Sequence, residues 1–230
     1  MKPENIILIR HGQSKGNVDR NVFEYTPDYS LHLTELGKAQ AIEAGKTIKT
    51  LIGNTDPVQF YVSPFWRTRE TYKGIIKGMY EENPNRPPSE YYEDPRIREQ
   101  EWGHYRNLSD TEEIETEREE YGHFYYRFPD GESCADVYDR VSSFFNTMHR
   151  DFEKPDFAKN AVVVSHGMTI RLFLMRWFHY SSEKFEEIAN PKNCEHFVLK
   201  LNHYTNKYEL QTPLRKHEVK HKYQFNWNAE

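Results

Sequence analysis

"NIILIRHGQSKGN", residues 5–17, runs four apolar residues straight into an arginine, a histidine and a glycine. So short a run of Ile and Leu, with no polar alternation, predicts a strand buried on both faces, and such strands belong to parallel sheets. "AVVVSHGMT" (161–169) repeats the arrangement, with Ser165, His166 and Gly167 closing a valine run. "VQFYVS" (58–63) predicts another strand. "PFWRTRETYKGIIKGM" follows it, with Pro64 at a helix start, where its missing N–H costs nothing. If these three strands are parallel, "RHG", "SPFWR" and "SHG" all emerge at one edge. Ligands of α/β sheets sit at that carboxyl edge. Arg10, His11, Arg67 and His166 would then share it, and four such groups repel one another unless an anion joins them.

The remaining pattern extends the same architecture. Thr34 reads as the N-cap of a helix to about Ile52, with Leu36, Ala39, Ile42, Ile48 and Ile52 near helical spacing and Gly53 as its stop. "NPNRPP" (83–88) is a loop and "SEYYED" (89–94) a third strand. From Ser133, the residues Val137, Val141, Phe144, Met148 and Phe152 keep the spacing of one buried helical face. "MTIRLFLMRWF" (168–178) is a helix apolar almost all round, and "EHFVLKL" (195–201) with "KYELQ" (207–211) alternates as a hairpin. Residues 104–132, dense in charge and aromatics and with capping-box spacing at "SDTE" (109–112), predict a helical cap inserted over the site. From about residue 213 the chain is polar and reads as a surface-lying or poorly ordered tail. The expected fold is a single α/β domain over residues 1–230, a three-layer sandwich whose mostly parallel central sheet carries helices on both faces.

Composition narrows the function classes. With 230 residues, 29% of them charged, the chain suits one well-packed domain with a solvated surface. The mean hydropathy of -0.94 agrees, and no apolar run approaches the roughly 18 residues of a membrane span. "MKPENIILIR" reads as a first strand rather than a secretion signal. The net charge of -5 argues against nucleic acid as a main partner. Cys134 and Cys194, without a C-x-x-C pair, fit a reducing compartment: the cytosol, with the nucleus left open. The 11 histidines show no metal-ligand spacing, and His217 and His221, four apart in the polar tail, read as exposed.

A phosphoryl group is the guest this cluster suits. Arginine's planar fork matches phosphoryl oxygens and stays charged. Helix N-termini after the glycines add N–H donors. A neutral imidazole nitrogen can attack phosphorus, provided the other ring nitrogen donates its proton to an acceptor. An acid must protonate the leaving oxygen, and "RIREQEWGHY" (96–105) offers Glu99 and Glu101.

Six segments in order carry a resemblance. "LIRHGQSKGN", "LTELGKAQA", "YVSPFWRTRETY", "RIREQEWG", "FPDGESCADVYDRV" and "VVVSHG" are together similar to the histidine phosphatase superfamily, the phosphoglycerate-mutase-like fold. The resemblance implies His11 as the phosphorylated nucleophile. It implies Arg10, Asn17, Arg67 and His166 as phosphate ligands, and Glu99, four residues before Gly103, as proton donor ahead of Glu101. It implies neither metal nor cofactor. It also implies that phosphoglycerate mutases carry an adjacent arginine pair in the insertion and an asparagine after the second histidine motif. Here no two Lys or Arg residues adjoin between Glu99 and His166, and Met168 follows "SHG". Both departures favour hydrolysis, and "FYYRFPDGES" with "VYDRV" resembles phosphoglycerate-mutase-like phosphatases of plants and yeasts. The expected activity is hydrolysis of a small phosphorylated metabolite through phosphohistidine. Phosphoglycerate mutase is the alternative, and a non-catalytic phospho-ligand module a weaker one, since a binder needs no acid. "GHFYYRF" (122–128) reads as packing of the insertion, Arg106 and Arg127 are candidates for a second anionic group, and a homodimer is a reasonable assembly.

Overall fold

The computed structural model describes residues 2–53, 57–81, 91–103 and 111–216. β1 (Asn5–Arg10) leads through α1 (Lys15–Val18) and two 3-10 turns (Arg20–Glu24, Asp28–Ser30) into α2 (Glu35–Ile52). Then come β2 (Val58–Val62), α3 (Trp66–Tyr80), β3 (Tyr91–Glu93), α4 (Thr111–Tyr121), α5 (Cys134–Phe152), β4 (Asn160–Ser165), α6 (Gly167–Phe178) and α7 (Ser182–Glu187). The hairpin β5 (His196–Asn202) and β6 (Lys207–Leu210) closes the described chain. One six-stranded sheet forms in the order β3-β2-β4-β1-β5-β6. Its first four strands are parallel and the hairpin is antiparallel. The expected mostly parallel sheet with helices on both faces is therefore the fold observed.

β1 explains why. Ile6 and Leu8 enter the layer formed with α5 and α6, and Ile7 and Ile9 enter the layer with α2 and α3. All four are wholly buried, each contributing roughly 1.5–3 kcal/mol as an upper estimate. Since both faces are apolar, alternation cannot set the register of β1 against β4. Polar ends set it instead: Asn5 Nδ2 donates to Asn160 Oδ1 at 2.8 Å, and at the other end Arg10 lies opposite Ser165.

Local readings hold at several caps. Thr34 Oγ1 accepts from Gly37 N at 3.0 Å, and Gly53 caps α2 with φ 79°. Ser133 and Asp136 form a reciprocal capping box on α5. Two readings change. The α2 face is buried at Ile48 and Ile52 as expected but shifts in its first turns, with Leu36 55% exposed. The buried row is Gly37, Ala41, Ala44, Gly45, Ile48 and Ile52, because α2 and α3 meet backbone to backbone. A Cβ on Gly78 would stand 1.9 Å from the Ile42 carbonyl oxygen, and one on Gly45 2.2 Å from that of Ile75. Small residues thus decide the interface, since helix separation follows the side chains at the contact. Pro64 lies before the N-cap Phe65 rather than in the first turn of α3.

α4 falls inside the expected cap, while residues 104–110 and the "SDTE" side chains at its start lie outside the described residues. Phe124, Tyr126 and Phe128 are buried, so the aromatic segment packs inward. Of the polar tail, residues 213–216 lie on the surface, where Leu214 packs on the core and Lys216 pairs with Glu187. His217 and His221 are outside the described residues. Among the described residues no helix is long and apolar enough to cross a membrane.

Candidate active site

Parallel pairing carries three strand ends to one edge. His11 N donates to Ser165 O and Ser63 N to Val164 O, both at 3.0 Å, extending the ladders one residue past β1 and β2. His11, Ser63 and His166 are thereby neighbours. The His11 and His166 rings stand 5.2 Å apart, edge to face. A cleft of about 410 Å³ opens here, and Arg10, His11, Asn17, Arg67 and Glu99 line it.

His11 Nδ1 lies 2.7 Å from its neighbour's carbonyl, Gly12 O. A carbonyl only accepts, so Nδ1 carries the proton and Nε2 keeps its lone pair. Burial, then the Arg67 and Arg10 charges, hold this imidazole well below its ordinary pKa, leaving it neutral. His166 is wholly buried beside His11 and is not among the residues that line the cleft. Its Nε2 stands 2.7 Å from Ser63 Oγ, and its Nδ1 is buried with no hydrogen-bond partner. Burial and Arg67 depress its pKa as well. Arg10 donates through Nη1 to Pro191 O, while its Nε is buried without a partner. Arg67 is 4% exposed and makes a two-pronged bond to Asp28, Nη1 to Oδ1 at 2.9 Å and Nη2 to Oδ2 at 3.2 Å. Asn17 Oδ1 accepts from Ser14 N at 3.1 Å and from Asn193 Nδ2 at 3.0 Å. Since Ser14 N can only donate, the orientation is fixed and the Asn17 NH₂ is left as the outward donor.

Glu99 faces the cleft and Glu101 is not among its lining residues. Burial raises the Glu99 carboxyl above its ordinary pKa, against the opposing charge of Arg67. Glu99 Oε1 accepts from Gln100 N at 3.1 Å, with Thr169 N and Oγ1 each at 3.4 Å. The loop bearing it is clamped by Arg140. Its Nη1 donates to the carbonyls of Arg96 and Arg98, and its Nη2 to that of Glu99 and to Glu132. Gly103 ends this loop at φ 55°, where a Cβ would lie 1.9 Å from Pro129 O.

Several of these residues escaped the sequence reading. Asp28, Ser63, Thr169, Glu132 and Arg140 act across the fold, though the last two lie in the quoted "GESCADVYDRV" segment. The loop before β5 is a further one. Asn193 Nδ2 donates to His11 O at 3.2 Å, and Cys194 N to Arg10 O at 3.1 Å. Arg215 braces that loop through Glu195 and through Asn190 O at 2.9 Å. Of the two arginines considered for a second anion, Arg127 is largely exposed and paired with Asp136, away from the cleft. Arg106 lies outside the described residues.

Comparison with known proteins completes the description. The model of the histidine phosphatase superfamily (branch 1) matches residues 6–212. "Phosphoglycerate mutase-like protein AT74H" of Arabidopsis thaliana is 43% identical over 215 residues, covering 87% of this chain and 75% of that protein. "Broad-range acid phosphatase DET1" of Saccharomyces cerevisiae is 30% identical over an alignment of 302 residues, covering 94% and 90%. The solved structure of a mycobacterial glucosyl-3-phosphoglycerate phosphatase superposes with a TM-score of 0.70 over 94% of this chain and 100% of that one. At 18% identity, that likeness speaks for the fold alone.

Proposed function

The chain belongs to the histidine phosphatase superfamily, and on that premise we propose that it hydrolyses a small phosphorylated metabolite through a phosphohistidine at His11. The observation that carries this reading is the fixed tautomer of His11, with a neutral Nε2 between two guanidiniums and a protonatable carboxyl. Arg10 and Arg67 take the phosphoryl oxygens, with the Asn17 amide and His166 as further donors. The unpartnered Arg10 Nε and His166 Nδ1 are buried donor positions that such oxygens would satisfy.

Nε2 of His11 attacks phosphorus. The N–P bond forms as the bond to the leaving oxygen breaks, and the Glu99 proton passes to that oxygen. Water then attacks the phosphohistidine, giving one proton to the Glu99 carboxylate. The new O–P bond releases inorganic phosphate, the N–P bond breaks, and both groups return to their starting forms.

The positive charge comes from guanidiniums, so the reaction as written calls for no metal. The segment of about residues 104–132 serves as a cap on a single domain, a reading supported by Arg118 and Glu115 of α4 on the cleft wall. Both cysteines are free thiols, which supports a cytosolic setting.

Rapid quenching with a phosphorylated substrate should give acid-labile, alkali-stable phosphate on His11, and His11→Ala should abolish turnover. Wild-type turnover by His11→Ala would refute the reading. Transfer to 3-phosphoglycerate primed by 2,3-bisphosphoglycerate would establish mutase chemistry instead.

A further inference from the structure

The Arg67 guanidinium has five N–H donors in one plane. Asp28 takes three of them: Nη1 donates to Asp28 O at 2.7 Å and to Oδ1 at 2.9 Å, and Nη2 donates to Oδ2 at 3.2 Å. The carboxylate thus closes the edge between the two Nη atoms, and the backbone carbonyl takes the other Nη1 hydrogen. Among the described residues, the donors left are Nε–H and the second Nη2 hydrogen, which lie parallel along the opposite edge. Both residues line the cleft, and their side chains are nearly buried, Arg67 5% and Asp28 12% exposed.

Asp28 is fastened where it stands. It opens the 3-10 turn Asp28–Ser30, which packs on α3. One turn along α3 from Arg67, Glu70 Oε2 accepts from Leu33 N at 2.7 Å, and Glu70 Oε1 lies 2.8 Å from His32 Nδ1. Residues 28–33 are therefore strapped to α3 at both ends. The position of Arg67 matters to the whole pocket, because its charge is the strongest acting on His11, His166 and Glu99.

Building on the phosphomonoesterase reading, we propose that Asp28 is a positioning residue for phosphate binding: it holds Arg67 by the Nη edge so that the Nε–Nη2 edge meets two phosphoryl oxygens. Asp28 makes no bond to the phosphoryl group, since two anions repel. Its charge has a second consequence at Glu99. There Arg67, Arg10, Arg140 and Arg171 favour the carboxylate, and Asp28 opposes them.

Charge alone predicts the opposite sign: removing a carboxylate from an anion site tightens anion binding, whereas removing a positioning group weakens it. Asp28→Asn keeps the shape and one acceptor but sets an NH₂ against an Arg67 donor. The dissociation constant of inorganic phosphate, measured by titration calorimetry on the full chain, should rise about tenfold, as for one lost charged hydrogen bond. KM for phenyl phosphate should rise more than kcat falls. The alkaline limb of kcat/KM should move to lower pH, because Glu99 loses the carboxylate that opposes its ionisation. In Arg67→Lys the ammonium has no edge to orient, so adding Asp28→Asn there should weaken phosphate no further. Asp28→Glu retains the ion pair if the amide does not fold. It moves the fork by one methylene, so it should weaken phosphate and leave the alkaline limb in place.

Tighter phosphate binding by Asp28→Asn would overturn the proposal, as would wild-type binding by Asp28→Glu. An equal loss in the wild-type and Arg67→Lys backgrounds would also overturn it, the result if Asp28 only stabilises the strap. Phosphate binding requires no turnover, so the two readings separate. A wild type that binds phosphate but hydrolyses no phosphomonoester removes the phosphomonoesterase reading alone. An active wild type whose phosphate affinity is indifferent to Asp28 removes the positioning role alone, and one that does not bind phosphate loses both.

Discussion

Glu99→Gln isolates proton donation from every other duty of the site. Glu99 Oε1 is the acceptor for Gln100 N and Thr169 N, and a glutamine oxygen can take its place. The other carboxyl oxygen, the one the scheme gives the proton, becomes an NH₂ that can donate a hydrogen bond but cannot surrender a proton. Fold and loop geometry are retained and the acid is lost. A positioned general acid is worth about 10²–10⁴ in rate, so kcat/KM for an alkyl phosphate should fall by that factor. An aryl phosphate with a stable phenolate leaving group should lose less than about tenfold, because its leaving oxygen needs little protonation. The parameter must be kcat/KM, which ends at formation of phosphohistidine. In the proposed scheme Glu99 is also the base for water, and that later step should slow kcat alike for all substrates. The same variant should therefore accumulate phosphohistidine on quenching with the aryl substrate. Equal loss of kcat/KM on both substrates would refute the assignment, and a larger alkyl-selective loss in Glu101→Gln would transfer it to Glu101.

The pH profile follows from two shifted groups. The lowered His11 pKa keeps its nucleophilic neutral form into the acid range, and the raised Glu99 pKa keeps its proton above the usual carboxylate range. kcat/KM should fall as pH drops through the His11 value and as it rises through the Glu99 value; Glu99→Gln should flatten the alkaline limb for aryl phosphates, and an alkaline limb unchanged in that variant would count against the scheme. Arg140→Met removes three bonds to the acid loop and leaves Glu132 without one of its partners, a loss of about 3–5 kcal/mol by thermal or urea unfolding. In the folded fraction, alkyl phosphates should suffer more than aryl ones, and equal losses would make Arg140 purely structural. Gly78→Ala places a Cβ 1.9 Å from the Ile42 carbonyl oxygen. Its overpacking of about 1–3 kcal/mol should exceed the helix-propensity gain of about 1 kcal/mol, so a net stabilisation in urea would refute the backbone contact between α2 and α3.

The sequence by itself determined the strands and their ends. An apolar run such as Ile6–Ile9 has to be buried, and the break into "RHG" or "SHG" is a local event readable without the fold. Parallel pairing then brings those ends together, so Arg10, His11, Arg67 and His166 could be grouped before any coordinates. Caps such as Thr34, Gly53 and Ser133 were equally legible, because each acts on residues within a turn.

What only the tertiary structure decided are partnerships between distant residues. Asp28 meets Arg67 across 39 positions, and Arg140 reaches the Glu99 carbonyl across 41. Neither separation has a period that a pattern could reveal. Tertiary packing set Glu99 rather than Glu101 on the cleft wall, and Arg118 rather than Arg127 beside it. It also turned α2 onto its glycines, where a missing side chain lets two backbones touch. Periodicity records where apolar mass recurs along one element. It does not record how near a second element can come, and that distance fixes which charged groups meet.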